Sequence, residues 1–75
     1  MEYPYQEAAS VFGDPLALTF DDPDHSLLEE RFLTVGMSAA GRLLILAHTD
    51  RRETIRVISA RKATARERRQ YEEKD

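Results

Sequence analysis

The residues best suited to chemistry gather near the C-terminus. Arg56, Arg61, Lys62, Arg66, Arg68 and Arg69 run from a strand-like segment through a short connection into a helix. Thr64-Ala65-Arg66-Glu67 has the spacing of a capping box, in which a threonine caps the helix and a glutamate reaches back. A helix start presents free N–H groups and partial positive charge, and Arg61 and Lys62 lie just ahead of it. Guanidinium forks match phosphate oxygens, so phosphate is the natural guest of this segment. The plain alternative is a solvated helix, because Arg68 with Glu72 and Arg69 with Glu73 have i, i+4 spacing and partly neutralise the patch. Glu67 is a candidate general base with a competing structural role in the capping box. Tyr71 has the chemistry to stack on a base, and it is equally the one large anchor of its helix. His48 closes a strand and is suited to proton transfer near neutral pH, against an ordinary structural role. Asp21, Asp22, Asp24 and His25 lack a recognised ligand spacing, and Pro23 among aspartates reads as turn chemistry. No metal site and no cofactor are expected. No Gly-rich phosphate loop, HExxH, CxxC or nucleophile elbow is present.

The elements that position these residues follow from periodicity. Tyr5, Ala8, Ala9 and Phe12 share one face of a short helix, ended by Gly13 and Pro15. Leu16 to Phe20 alternates as a strand. Asp21 to Ser26 is a turn, and Leu27 to Glu30 fits a loop or a helical turn equally. Arg31 to Met37 is the next strand, joined through Ser38-Ala39-Ala40-Gly41 to a strand from Arg42 to His48. Five consecutive apolar residues, Leu43 to Ala47, mark this as the central strand, buried on much of both faces. After a turn over Thr49 to Glu53, the strand Thr54 to Ala60 sets Ile55 and Val57 against Arg56 and Ile58. The last helix runs from about Ala65 to Lys74, with Ala65 and Tyr71 as its anchors. The expectation is an α+β domain: a four-stranded antiparallel meander with an N-terminal and a C-terminal helix.

Length and charge narrow the function class. Seventy-five residues make one domain and bury only about 60% of the unfolded surface, so a partner or a homodimer is expected. The chain has no cysteine, which excludes a disulfide staple, a thiolate metal site and a cysteine nucleophile. The longest apolar run is far short of a membrane span, and Met1-Glu2-Tyr3-Pro4 is not a basic-then-apolar leader. A cytoplasmic location without membrane association is the default. The net charge of −3 hides an asymmetry. Residues 1–50 carry nine acids against two arginines, whereas residues 51–75 carry nine basic residues against five acids. The second segment is positive enough to meet an anion.

The combination resembles BrnT-type toxins, the RelE-fold ribonuclease toxins of bacterial type II toxin–antitoxin pairs. Glu7-Ala8-Ala9-Ser10-Val11-Phe12-Gly13-Asp14-Pro15 is similar to their helix and exit turn, and Arg31-Phe32 to Gly36 with Gly41-Arg42-Leu43-Leu44 continues the likeness. The most specific piece is Ile55-Arg56-Val57-Ile58-Ser59-Ala60-Arg61-Lys62-Ala63-Thr64, followed by Glu67-Arg68 and Tyr71-Glu72. The likeness runs from about Tyr5 onward. The family pattern opens with a strand and a helix leading to a Lys-His-Gly segment, for which this sequence shows no counterpart. A front-shortened relative with an exposed sheet edge is therefore expected.

The resemblance implies metal-independent RNA cleavage by attack of a ribose 2′-OH on the adjacent phosphate. It then suggests Arg56, Arg61 and Lys62 as the phosphate clamp with Arg68 assisting. Arg61, Lys62, His48 and Glu67 become the catalytic candidates, and Tyr71 positions a base. It also implies a ribbon-helix-helix antitoxin that neutralises the toxin, with DNA met only through the pair. Two other readings stay open. One is a non-catalytic toxin-like module that binds an antitoxin or itself. The other is plain nucleic-acid binding through the basic helix, which a steep salt dependence would reveal.

Overall fold

The computed structural model describes residues 2–22 and 30–73. Its elements are helix α1 (Tyr5–Ser10), a 3-10 turn (Val11–Gly13), strands β1 (Leu18–Asp21), β2 (Arg31–Met37), β3 (Leu43–Arg51) and β4 (Thr54–Lys62), and helix α2 (Ala65–Glu72). The strands form one antiparallel sheet in the order β1-β2-β3-β4. The α+β meander flanked by two helices is the architecture expected from periodicity.

Alternation assigns the two faces of the sheet. On one face Leu44, Leu46 and Ala60 pack beneath Ala8 and Val11, with Tyr3, Phe12 and Val57 at the margin. The apolar side of α1 differs from the expected one in register. The switch to 3-10 geometry after Ser10 tightens the turn and brings Val11 into the core, while Tyr5 stays exposed. Gly36 lets this layer approach β2: a Cβ there would lie 2.9 Å from both Val11 Cγ1 and Ala17 Cβ.

The opposite face carries Phe20, Leu33, Val35, Ile45 and Thr49, and α2 covers part of it. Val35, Leu43 and Ile45 are buried, so β3 is apolar on both faces over Leu43 to Leu46, as a central strand requires. No residue of α2 is fully buried, in keeping with its sparse apolar side.

Element boundaries shift where local turn chemistry intervenes. β1 begins at Leu18 rather than Leu16, because Asp14 Oδ1 accepts the Leu16 N–H at 3.0 Å and holds the Pro15 segment as a turn. β3 continues through Thr49, Asp50 and Arg51, so the expected five-residue turn shrinks to Arg52-Glu53. Arg52 adopts φ 53°, the conformation that so tight a turn imposes. Asp21 belongs to β1 and Asp22 follows it. Most of the segment Asp21–Glu30, including Asp24 and His25, lies outside the described residues, as does Lys74 at the expected end of α2.

Candidate functional site

The junction from β4 into α2 is built by local hydrogen bonding. Thr64 Oγ1 accepts the Glu67 N–H at 3.2 Å, and Glu67 Oε1 accepts the Thr64 N–H at 2.8 Å, which completes the capping box. Glu67 does more than cap. Arg61 donates to both of its carboxylate oxygens, Nη1 to Oε1 at 2.9 Å and Nη2 to Oε2 at 2.8 Å. The Arg61 hydrogen bonds and the backbone N–H of Thr64 hold the Glu67 carboxyl below its ordinary range, against the opposing effect of burial. Hydrogen bonding to Glu67 raises Arg61 in turn. A permanently charged guanidinium is thus fixed in one orientation at the strand end, with half of its side chain open to solvent.

Adjacent strand residues face opposite ways, so Arg61 and Lys62 diverge. Arg61 lies on the α2 face beside Ile45, and Lys62 pairs with Leu44 on the α1 face. Lys62 joins Tyr3, Gly41, Arg42, Leu43 and Arg68 around an open cleft of about 320 Å³ at the end of the sheet. Arg42 stands 5.5 Å from the Tyr3 ring centroid and 3.5 Å from Glu7. Arg68 also approaches Glu72 at 3.7 Å. The cleft holds three cations, two of them with a carboxylate alongside.

A bulge decides where Arg56 goes. Ala47 pairs with Ser59 and His48 with Val57, so Ile58 is an extra residue in β4. In an unbroken strand Arg56 and Arg61, five apart, would face opposite ways. The bulge puts them on one face, beside Thr49 and Ile45 respectively. Those partners are four residues apart on β3, so the two arginines are about 13 Å apart along the strand. Arg56 therefore sits near the hairpin end, away from the Lys62–Arg68 cleft.

His48 is buried, only 2% exposed, with both ring nitrogens engaged. Asp50 Oδ1 only accepts, so Nδ1–H donates to it at 3.0 Å. Nε2 lies 2.7 Å from Thr34 Oγ1, which lies 2.8 Å from Thr19 Oγ1. Phe12 meets the ring edge-on and Phe32 stacks on it. This polar chain crosses from β1 through β2 to β3 beneath α1, apart from the cationic surface.

Tyr71 donates its hydroxyl to Asp14 Oδ2 at 2.6 Å. The same oxygen accepts the Met37 N–H at 2.8 Å. This hydrogen bond to a carboxylate, with burial and the Asp14 charge, pushes the phenol up to about 12. Asp14 thereby ties α2 to the end of β2 and to the turn before β1. Sequence reading did not single out Asp14; its only local signal is its position before Pro15. Arg42 and Tyr3 were also missed as neighbours of Lys62, because strand register, not sequence distance, brings them together.

The comparison that bears on this junction is a family model described as the ribonuclease toxin BrnT of type II toxin–antitoxin systems, which matches residues 3–67. It spans α1, the whole sheet and the Arg61–Glu67 junction. The chain belongs to the BrnT family. Membership makes it a relative of ribonuclease toxins and implies an antitoxin partner. No curated protein matches the chain. Among the described residues, no helix of this BrnT-family chain is long and apolar enough to cross a membrane.

Proposed function

We propose that the chain cleaves RNA without a metal ion, at the rim where β4 enters α2, and that a ribbon-helix-helix antitoxin neutralises it. The observation that carries this reading is the cleft of Arg42, Lys62 and Arg68 at the end of the sheet, where the Glu67-held Arg61 precedes Lys62 in β4 and faces the other side. In the proposed step the ribose 2′-oxygen attacks the adjacent phosphorus and passes its proton to a solvent water. The P–O5′ bond breaks, and the departing 5′-oxygen gains a proton, leaving a 2′,3′-cyclic phosphate. The developing charge lies on the non-bridging oxygens, where Lys62 and Arg68 neutralise it. Arg61 adds a charge whose orientation is already fixed, so less ordering is needed at the moment of reaction.

Roles for the other candidates follow from their surroundings. Glu67, ion-paired and capping, is a weak base, so its part is to position Arg61. Lys62 is then the proton donor to the leaving oxygen. His48 supports the sheet from beneath. Tyr71 docks α2 through its hydroxyl, which leaves its partly exposed ring as the part that could meet a base. Type II antitoxins act by contact, and the opposed charges of the two segments of this chain give such a partner complementary surfaces. A homodimer is a further expectation for so small a core.

The test uses a single-stranded RNA in EDTA beside an otherwise identical strand with 2′-deoxyriboses. Cleavage of the ribose strand alone, leaving cyclic phosphate ends, is the expected result. Equal cleavage of both strands, or cleavage only after a divalent ion is added, overturns the mechanism.

A further inference from the structure

The face of the sheet that Arg61 shares with α2 holds a groove that the proposed cleavage step does not use. Phe20, Leu33, Val35 and Ile45 line it from the sheet, Glu67 and Gln70 line it from α2, and its volume is about 180 Å³. Strand register builds it. Phe20 on β1 pairs with Leu33 on β2. Two residues along, Val35 pairs with Ile45 on β3, which pairs with Arg61 on β4. Directly paired side chains stand on one face, so an apolar strip leads across the sheet to Arg61. The eight residues of α2 cover part of this strip, and the groove is what they leave open.

The groove has the chemistry of a ring-binding site. Val35 and Ile45 are buried, whereas Phe20 is 41% exposed. One exposed phenylalanine is ordinary on a protein surface, but this one lines a groove where a second ring can lie against it. Gln70 is exposed and makes no hydrogen bond to any described residue, so its carboxamide offers a donor and an acceptor side by side. Glu67 holds the Arg61 guanidinium at 2.9 and 2.8 Å, which fixes a cation at the rim. Drug-sized ligands occupy about 300–1,000 Å³, so this smaller groove suits a single flat ring system.

We propose that this groove takes an unpaired nucleobase, adenine by preference, of the RNA whose backbone meets the β4–α2 rim. The inference rests on the RNA reading above. Leu33, Val35 and Ile45 offer no partner to a phosphate or a ribose hydroxyl, so the base and not the backbone belongs there. An unpaired base has open faces that stack on aromatic side chains, and Phe20 supplies the ring. Adenine presents its N6 amino group and N7 side by side as donor and acceptor, and a glutamine carboxamide matches both. Arg61 and Lys62 are successive residues facing opposite sides of the sheet. A strand passing over the end of the sheet therefore meets Lys62 at its cleft and Arg61 beside the groove. The cations hold phosphates whatever the sequence, whereas the groove selects which nucleotide lies next to the bond being cut.

The test measures binding of single-stranded RNAs of about 12 nucleotides with 2′-O-methyl riboses, which the proposed step cannot cleave. One strand is all uracil, one is uracil with a single central adenine, and one is abasic throughout. The variants are Phe20→Leu, which keeps an apolar side chain without the aromatic ring, and Gln70→Ala at an exposed helix position. Circular dichroism checks that each is folded. The wild type should bind the adenine strand about tenfold more tightly than the abasic strand and about fivefold more tightly than the uracil strand. Phe20→Leu should lose about fivefold on both base-bearing strands and nothing on the abasic one. Gln70→Ala should lose only the preference for adenine over uracil. An equal loss in Phe20→Leu on all three strands overturns the pocket, because the ring would then only support the fold. Wild-type affinity that is the same with and without bases overturns it too. Unchanged affinities in both variants do the same and leave the groove to a protein contact. In each of these cases the phosphate contacts at the rim still stand. A folded wild type that binds none of the three strands sinks the RNA reading itself, and the pocket with it.

Discussion

Replacing Tyr71 with phenylalanine removes one oxygen and asks what holds α2 to the sheet. The helix has no fully buried residue, so its docking depends on few contacts. The 2.6 Å hydrogen bond to Asp14 is one, and the Arg61–Glu67 pair is another. A proton held to about 12 against an ordinary 10.0 corresponds to at most about 2.7 kcal/mol. Solvent around the half-buried phenol screens this, and hydrogen bonds to charged groups contribute about 1.5 kcal/mol at the low end of their range. Tyr71→Phe should therefore lose about 1.5 kcal/mol in urea unfolding at pH 7. The folded-state pKa is raised, so the wild-type advantage is complete below pH 10 and is lost as pH rises through about 12. About half should remain near pH 11. Ultraviolet titration of the three tyrosines offers a direct check, since the variant should lack the phenol that ionises last. Equal urea midpoints at pH 7, with all late-ionising absorbance retained in the variant, would refute the claim that Asp14 latches α2.

Other substitutions test the framework separately. Gly36→Ala should destabilise by about 1–3 kcal/mol by thermal or urea unfolding, since its Cβ meets Val11 and Ala17 at 2.9 Å. Thr64→Ala should cost about 1 kcal/mol through loss of the α2 cap, visible as faster amide exchange in the helix. His48→Leu should cost several-fold more than an exposed histidine would. It removes the histidine partner of the Thr34 hydroxyl, which keeps Thr19, and of the half-exposed Asp50 carboxylate, for about 1–3 kcal/mol by the same unfolding assay. Glu67 contributes stability that is present above its unfolded pKa and lost as pH falls through its lowered folded value. Glu67→Gln should therefore flatten the acid limb of the stability curve below about pH 4.

Much of the fold is legible in the sequence because its signals are local. The apolar run Leu43 to Ala47 marks the central strand, and Thr64 with Glu67 marks the start of α2. Both survive in the structure, α2 starting at Ala65 as expected and β3 running on past His48 to Arg51. The site is less legible. Arg61 and Lys62 are neighbours in sequence, yet alternation sends them to opposite faces. Arg56 and Arg61 share a face only through the Ile58 bulge, and no glycine or proline announces that bulge. Arg42 meets Lys62 through the register of β3 with β4, and Asp14 meets Tyr71 across most of the chain. Side-chain type shows which groups have the chemistry, whereas pairing register shows which of them meet.

The most direct measurement is cleavage of a long RNA by the purified, folded chain in EDTA, beside the Arg61→Ala/Lys62→Ala variant. The expected result is cleavage by the wild type that the variant lacks. A variant that cuts RNA as fast as the wild type would contradict the assignment of the β4–α2 rim. Intact RNA from a demonstrably folded wild type would contradict the ribonuclease reading itself.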